Sequence, residues 1–167
     1  TLVSIPTLTT VSGATGITTS TATVKGSVTS DSGATITERG FVYSLSANPS
    51  LSDSKVTVTG TLGEMIKELT GLQIATTYHF RPFATNSQGT GYGTDSSFTT
   101  LPGNPSNLKA VRTDKSVISL SWNKGTGGTY SIIRRGTTAP ANINSGTLVY
   151  QSTGTSFVDT GLSAGTT

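Results

Sequence analysis

Gly71-Leu72-Gln73-Ile74-Ala75-Thr76-Thr77 runs directly into Tyr78, and the same frame returns as Gly161-Leu162-Ser163-Ala164-Gly165-Thr166-Thr167. A tyrosine placed in this way opens the sixth strand, strand F, of a two-sheet β-sandwich, and a frame that recurs signals a repeated module. The first copy reaches its tyrosine, whereas the second arrives at Thr167 one residue short of it. One complete module is therefore expected, followed by a second that lacks its last two strands.

Length agrees with that division. Modules of this type take about 100 residues, so 167 residues accommodate one and a large part of another. Composition points the same way: 34 Thr and 23 Ser make up a third of the chain, and charged residues are 11%, against a usual share of about 25%. Threonine rests its methyl on a pleated sheet and leaves its hydroxyl in water, so Thr21-Ala22-Thr23-Val24 suits a half-exposed strand. A disordered Thr/Ser stalk would carry few aromatic and β-branched residues, but Phe41, Tyr43, Tyr78, Phe80, Tyr92, Phe98 and Trp122 fall at regular strand positions.

The formal net charge is +3, yet Lys25, Arg39, Lys55, Lys67, Arg81, Lys109, Arg112, Lys115 and Lys124 are dispersed. The one doublet, Arg134-Arg135, lies in an expected strand, where neighbouring side chains point to opposite faces and form no single phosphate clamp. No nucleic-acid partner is expected. Without cysteine there are neither disulfides nor thiolate metal sites. No apolar run reaches the roughly 18 residues of a helical membrane span, so no membrane insertion is expected. Thr1-Leu2-Val3-Ser4 shows no charged segment ahead of an apolar run, which places any export signal upstream or among removed residues.

Alternation and turn residues then order the strands. Residues 1–5 form a lead, and a first module covers 6–101. Strand A is expected at Thr7 to Val11 and strand B at Thr21 to Val28, with Ala22, Val24, Gly26 and Val28 on one face. Asp31-Ser32-Gly33 turns the chain toward strand C at Ile36 to Ser44, and Ala47-Asn48-Pro49-Ser50 precedes a short strand at Lys55 to Thr59. Gly60 and Gly63 set off strand E, where Met65 and Leu69 share a face; strand F follows at Thr77 to Asn86 and strand G at Tyr92 to Thr99.

Leu72, Thr76, Tyr78, Phe80, Ala84, Asn86 and Gly89 resemble the strand F signature of fibronectin type III-like domains. Glu38-Arg39-Gly40-Phe41-Val42-Tyr43-Ser44, with Ala47-Asn48-Pro49 after it, is similar to a variant found as tandem repeats in bacterial secreted and surface proteins. The resemblance makes Tyr78 the corner tyrosine and implies an all-β fold of tandem immunoglobulin-like sandwiches. Pro82 departs from the pattern, because proline donates nothing to a ladder, and a local bulge is expected there. Leu101 leads into a proline-stiffened linker at 102–105, expected to limit swivelling. Residues 106–167 resemble a partial fibronectin type III domain. Its strand A holds Leu108 and Ala110, and Ile118 to Trp122 is strand B with Trp122 as core tryptophan. Strand C is Tyr130 to Arg135 with Tyr130 and Ile132 inward, strand C′ is near Leu148 to Gln151, and strand E is near Ser156 to Asp159. Without two strands, Trp122, Tyr130 and Ile132 are expected to be partly uncovered and this part unstable alone. Leu162 is the counterpart of Leu72.

The inventory for chemistry is thin. His79 follows the corner tyrosine on the opposite face, and no motif orients it against a serine and a carboxylate; a metal site would need a second imidazole or thiolate. Glu64 and Glu68 share an exposed parity and make no glycosidase pair. Asp31, Asp53 and Asp159 stand where side-chain oxygens cap turns. Gly89-Thr90-Gly91-Tyr92-Gly93 joins two strands with no helix after it, so it is a hairpin and not a phosphate loop. Its tip, Ser87, Gln88, Gly89 and Thr90, is the candidate partner-binding loop, without an Arg-Gly-Asp tripeptide. Phe83 and Tyr92 are the candidates for a sugar-stacking surface, although two isolated rings make a weak platform.

These readings converge on a non-enzymatic, cofactor-free, extracellular structural or adhesive spacer of a bacterial surface or secreted protein. Its expected partners are other domains of the same protein or neighbouring subunits, with polysaccharide as a further candidate. The alternatives are an accessory segment of a secreted polysaccharide-degrading enzyme and a strand-exchanged filament subunit.

Overall fold

The computed structural model describes residues 2–142 and 144–163. Strands are the only regular secondary structure among them, and the chain divides into two compact units, Thr1–Leu101 and Pro102–Thr167. The break falls where the proline-rich stretch begins.

The first unit holds β1 (Thr7–Thr10), β2 (Ala22–Ser30), β3 (Glu38–Ser44), β4 (Ser54–Thr57), β5 (Gly63–Leu69), β6 (Thr77–Asn86), β7 (Gly89–Tyr92) and β8 (Ser96–Thr99). One sheet runs β1-β2-β5; the other runs β4-β3-β6-β7, with β8 also on β6. The alternation in β2 explains the layering. Ala22, Val24 and Val28 are buried while the residues between them are half-exposed, so one face of this sheet is apolar and must be covered. Phe41, Tyr78, Phe80, Ala84 and Phe98 of the second sheet cover it, joined by Met65 and Leu69 of β5 and by Ile36 and Leu72 from the connections. Two layers thus share one core.

Close approach is needed at Gly40. A Cβ there would overlap the Val56 carbonyl oxygen and lie 2.8 Å from Thr57 Cα, so β3 and β4 pair only because residue 40 has no side chain. Gly40→Ala should lower stability by about 2–3 kcal/mol through forced displacement of β4. An unchanged urea midpoint would refute the overlap.

Pro82 produces an irregularity in its neighbour and not in its own strand. β6 pairs with β3 in unbroken register from Glu38↔Thr85 to Ser44↔His79, with Phe41 opposite Pro82. On the other side, Phe83 pairs with Tyr92 but Phe80 pairs with Ser96, so three residues, Gly93 to Asp95, oppose Arg81 and Pro82. The Pro82 carbonyl accepts from the Gly93 N–H at 2.9 Å; its hydrogen-free nitrogen therefore faces the same neighbour, which is where the ladder is interrupted. The expected single strand from Tyr92 to Thr99 is thus two strands. The extra residue reverses their alternation: Gly91, opposite Ala84, faces inward in β7, and Phe98, opposite Tyr78, faces inward in β8.

The corner before β6 is built as its sequence implied. Gly71 has φ 70°, a left-handed value that glycine adopts freely, and the Leu72 N–H donates to the Ser20 carbonyl at 3.0 Å. The Gln73 N–H donates to the Tyr78 hydroxyl at 3.0 Å. Thr100 locks the same place, its hydroxyl donating to the Gln73 carbonyl at 2.6 Å and accepting from the Thr76 N–H at 2.9 Å.

The second unit holds β9 (Ser106–Asp114), β10 (Val117–Asn123), β11 (Ser131–Arg135), β12 (Thr147–Ser152) and β13 (Ser156–Asp159). One sheet runs β13-β10-β9 and the other pairs β11 with β12. As in the first unit, the second strand lies between the first and the fifth. The corner also repeats: Gly161 has φ 70°, and the Leu162 N–H donates to the Ser116 carbonyl at 3.1 Å. The rest of the repeated frame, residues 164–167, lies outside the described residues.

Two expectations for this unit need correction. Trp122 is not partly uncovered but buried, at 5% exposure. Its indole N–H donates to Ser131 Oγ at 2.8 Å, and Tyr150 meets it edge-on at 5.3 Å between ring centres. The inward residues of β11 are therefore Ser131 and Ile133, the latter paired with Tyr150, and not Tyr130 and Ile132. Tyr130 is 54% exposed. A buried indole N–H requires an acceptor, and serine at 131 supplies one.

Candidate functional site

The face of β3-β6-β7/β8 turned away from the core carries most of the chemistry in the first unit. On β6, Tyr78, Phe80 and Ala84 point into the core, so His79, Arg81 and Phe83 occupy the opposite face. Register brings Ser44 of β3 and Ser97 of β8 beside His79.

His79 is not a free strand residue. Its Nδ1 lies 2.7 Å from Asp95 Oδ2, with the two side chains 28% and 21% exposed. Asp95 reaches it because the additional residue opposite Arg81 and Pro82 throws the carboxylate across the strand. The other oxygen, Oδ1, is buried without a hydrogen-bond partner among the described residues. A carboxylate on Nδ1 fixes the imidazole's orientation. Among the described residues no group of three His, Cys, Asp or Glu side chains is placed to hold a metal ion.

One strand-row away, Arg81 ties down the connection between β3 and β4. Its Nε donates to the Pro49 carbonyl at 2.5 Å and an Nη to the Asn48 carbonyl at 3.3 Å, while the guanidinium lies 4.1 Å over the Tyr92 ring. The Tyr92 hydroxyl accepts from the Leu51 N–H at 3.2 Å. This arrangement overturns the sugar-stacking surface: Tyr92 is already covered by a cation, and Phe83 is fully buried, with Lys55 Nζ 5.8 Å over its ring. Lys55 also pairs with Glu38 at 2.8 Å.

The candidate partner-binding loop is shorter than expected. Gly89 and Thr90 belong to β7, paired with Asn86 and Thr85, and Thr90 Oγ1 is 2.8 Å from Thr85 Oγ1. Only Ser87 and Gln88 remain in the turn, where the Gln88 N–H donates to Asn86 Oδ1 at 2.9 Å. Asn86 is 4% exposed and its amide donates to the Ser4 and Asp31 carbonyls at 2.7 and 2.9 Å, tying the N-terminal lead to two turns. The other signature residues are structural. Leu72, Tyr78 and Phe80 share the first core, Trp122 is buried in the second unit, and Leu162 is half-buried at its corner.

The turn-capping aspartates divide. Asp31 Oδ1 accepts from the Gly33 N–H at 3.0 Å, and Asp53 Oδ2 from the Ser50 N–H at 2.8 Å. Asp159 caps nothing of the kind: it is the last residue of β13 and pairs with Arg135 at 2.8 Å. Arg134 points elsewhere, donating to the Gly146 carbonyl at 3.0 Å, as alternation requires. A shallow groove of about 530 Å³ in this unit is lined by Asn107, Lys109, Ser121, Trp122, Asn123, Thr155 and Ser156.

Sequence reasoning missed the most constrained polar residue. Arg39 is 7% exposed, and no carboxylate among the described residues pairs with it. Instead Nε and an Nη donate to the Thr59 carbonyl at 3.2 and 2.6 Å, and the other Nη reaches the carbonyls of Thr61, Leu62 and Gly63 at 3.3, 3.0 and 3.2 Å. No local pattern announces a cation satisfied by a loop about 20 residues downstream.

Among the described residues no helix is long and apolar enough to cross a membrane. No protein-family model matches the chain, and no curated protein matches it. Among solved structures, the chain is similar to the sensor domain of the anti-sigma factor RsgI4 of Pseudobacteroides cellulosolvens. The short form of that domain is 20% identical, with 60% of this chain and 98% of that one covered at a TM-score of 0.41. The long form is 18% identical, covering 66% and 98% at 0.40. A solution structure of the same domain is 17% identical, covering 58% and 76% at 0.41.

Proposed function

We propose that this chain is a non-catalytic, extracellular spacer segment of a bacterial surface or secreted protein, built of tandem fibronectin type III-like sandwiches. The observation that carries the reading is the corner formed twice: Gly71 and Gly161 share φ 70°, and Leu72 and Leu162 donate to the serine that precedes the second strand of their own unit. In the first unit the corner is completed by the Tyr78 hydroxyl on the Gln73 N–H, the hallmark of immunoglobulin-like sandwiches. A repeated module whose signature residues serve its own interior suits a role in holding other domains apart.

The test has two arms. Antibody raised against the chain should label intact bacteria and lose its signal when the cells are shaved with protease; labelling that requires lysis would overturn the extracellular placement. Incubation with a panel of polysaccharides and activated esters should release no product, and turnover that disappears in His79→Ala would overturn the non-catalytic reading.

A further inference from the structure

β5 is the longest margin strand of the first unit. β1, β4, β7 and β8 have four residues each, whereas β5 has seven, pairs with β2 without a register shift and contains no proline. The sheet order leaves its far side without a strand among the described residues. Unpaired N–H and C=O groups along such an edge form a template for another strand.

One residue breaks its apolar face. Met65 and Leu69 are 1% and 0% exposed. Lys67 lies between them on the same face, opposite the fully buried Val24, yet it is exposed. An ammonium at an inward position is not buried without a partner; it reaches water around the sheet margin, through the space a docking strand would close. The surrounding charges oppose self-pairing as well. A two-fold antiparallel pairing of β5 with its copy that keeps like faces together must be centred on a residue. Centred on Ile66, it sets Glu64 against Glu68 twice; centred on Lys67, it sets the two lysines against each other. Like charges directly opposite are destabilising.

We infer that Lys67 guards the β5 edge, preventing it from pairing with β5 of a second copy of this chain. The experiment uses the full chain and compares wild type, Lys67→Arg and Lys67→Val by sedimentation velocity over a concentration series, with hydrogen exchange of the β5 amides. Wild type and Lys67→Arg should sediment as monomers, with rapid exchange at the β5 amides that point away from β2. Lys67→Val should move toward dimer as concentration rises, with exchange in β5 slowed at least several-fold. Should that variant precipitate, Lys67→Thr, which removes the charge without adding an apolar edge, must give the dimer instead. A Lys67→Val or Lys67→Thr chain that stays monomeric overturns the inference. So does a wild-type dimer with β5 protected, or a variant dimer whose β5 exchange is unchanged.

Discussion

Tyr78→Ala should lower the unfolding free energy of the first unit by about 4 kcal/mol, within the range for truncating a buried aromatic side chain. For a domain of this size that corresponds to a fall in Tm of roughly 20 °C. Two contributions combine. The ring stacks on Phe98 with centres 5.9 Å apart and planes at 20°, and it meets Tyr43 at 6.3 Å, so removal opens a cavity between two aromatic residues. The hydroxyl accepts from the Gln73 N–H, and that donor would be left inside a corner closed by Thr100. Tyr78→Phe keeps the ring and should cost only about 1 kcal/mol, the net worth of one hydrogen bond. Urea titrations of both variants, read by hydrogen-exchange protection of β2 and β6, separate the two terms. If the phenylalanine variant loses as much as the alanine variant, the hydroxyl and not the packing holds the corner.

Arg39→Met should cost about 3 kcal/mol, more than its exchange of one unbranched side chain for another suggests. Five donor contacts to four carbonyls, those of Thr59, Thr61, Leu62 and Gly63, disappear together, and hydrogen bonds involving a charged group are individually stronger than neutral ones. The loop can swing into water and recover part of that loss, which keeps the total below the sum of the individual bonds. Gly60, with φ 100°, lies against this guanidinium, 2.5 Å from Nη2 to a Cβ placed there, so loop and cation are fitted to each other. Arg39→Lys should recover less than half of the stability, because an ammonium lacks the planar fork that spans Thr59 and the 61–63 turn at once. Amide exchange across 58–63 should rise in both variants; protection equal to wild type would show that the loop orders itself without the arginine.

The sheet framework was legible where alternation and the corner acted together. β6 was expected at Thr77 to Asn86 and is found with those bounds, and β13 likewise at Ser156 to Asp159. Val24, Val28, Met65 and Leu69 lie in the core as their parity required. Register between strands was not legible, because it belongs to a pair: Pro82 left β6 straight and displaced β7 and β8. The polar groups of the outward face were illegible for the same reason. His79 and Asp95 are 16 residues apart and meet only through that displacement, and Phe83 lies under a cation, Lys55, that comes from another strand. In β11 the adjacent Ile132 and Ile133 made either parity plausible on apolar content alone. Side-chain size favoured Tyr130 as the inward residue, but the need of the Trp122 indole N–H for an acceptor decided for Ser131.

The insertion at Gly93 to Asp95 behaves like a reading frame. Tyr92 and Phe98 are both even-numbered, and in a straight strand they would look the same way; here one meets Arg81 outside and the other Tyr78 inside. Deleting one codon, that of Thr94, would leave Gly93 and Asp95 opposite Pro82 and Arg81 in a straight strand, with Tyr92 still outside and Phe98 still opposite Tyr78. What such a deletion would remove is the slack beside Pro82, forcing a straight neighbour against a nitrogen that has no hydrogen to give, so a stretch resembling an ordinary surface kink is the room the proline needs.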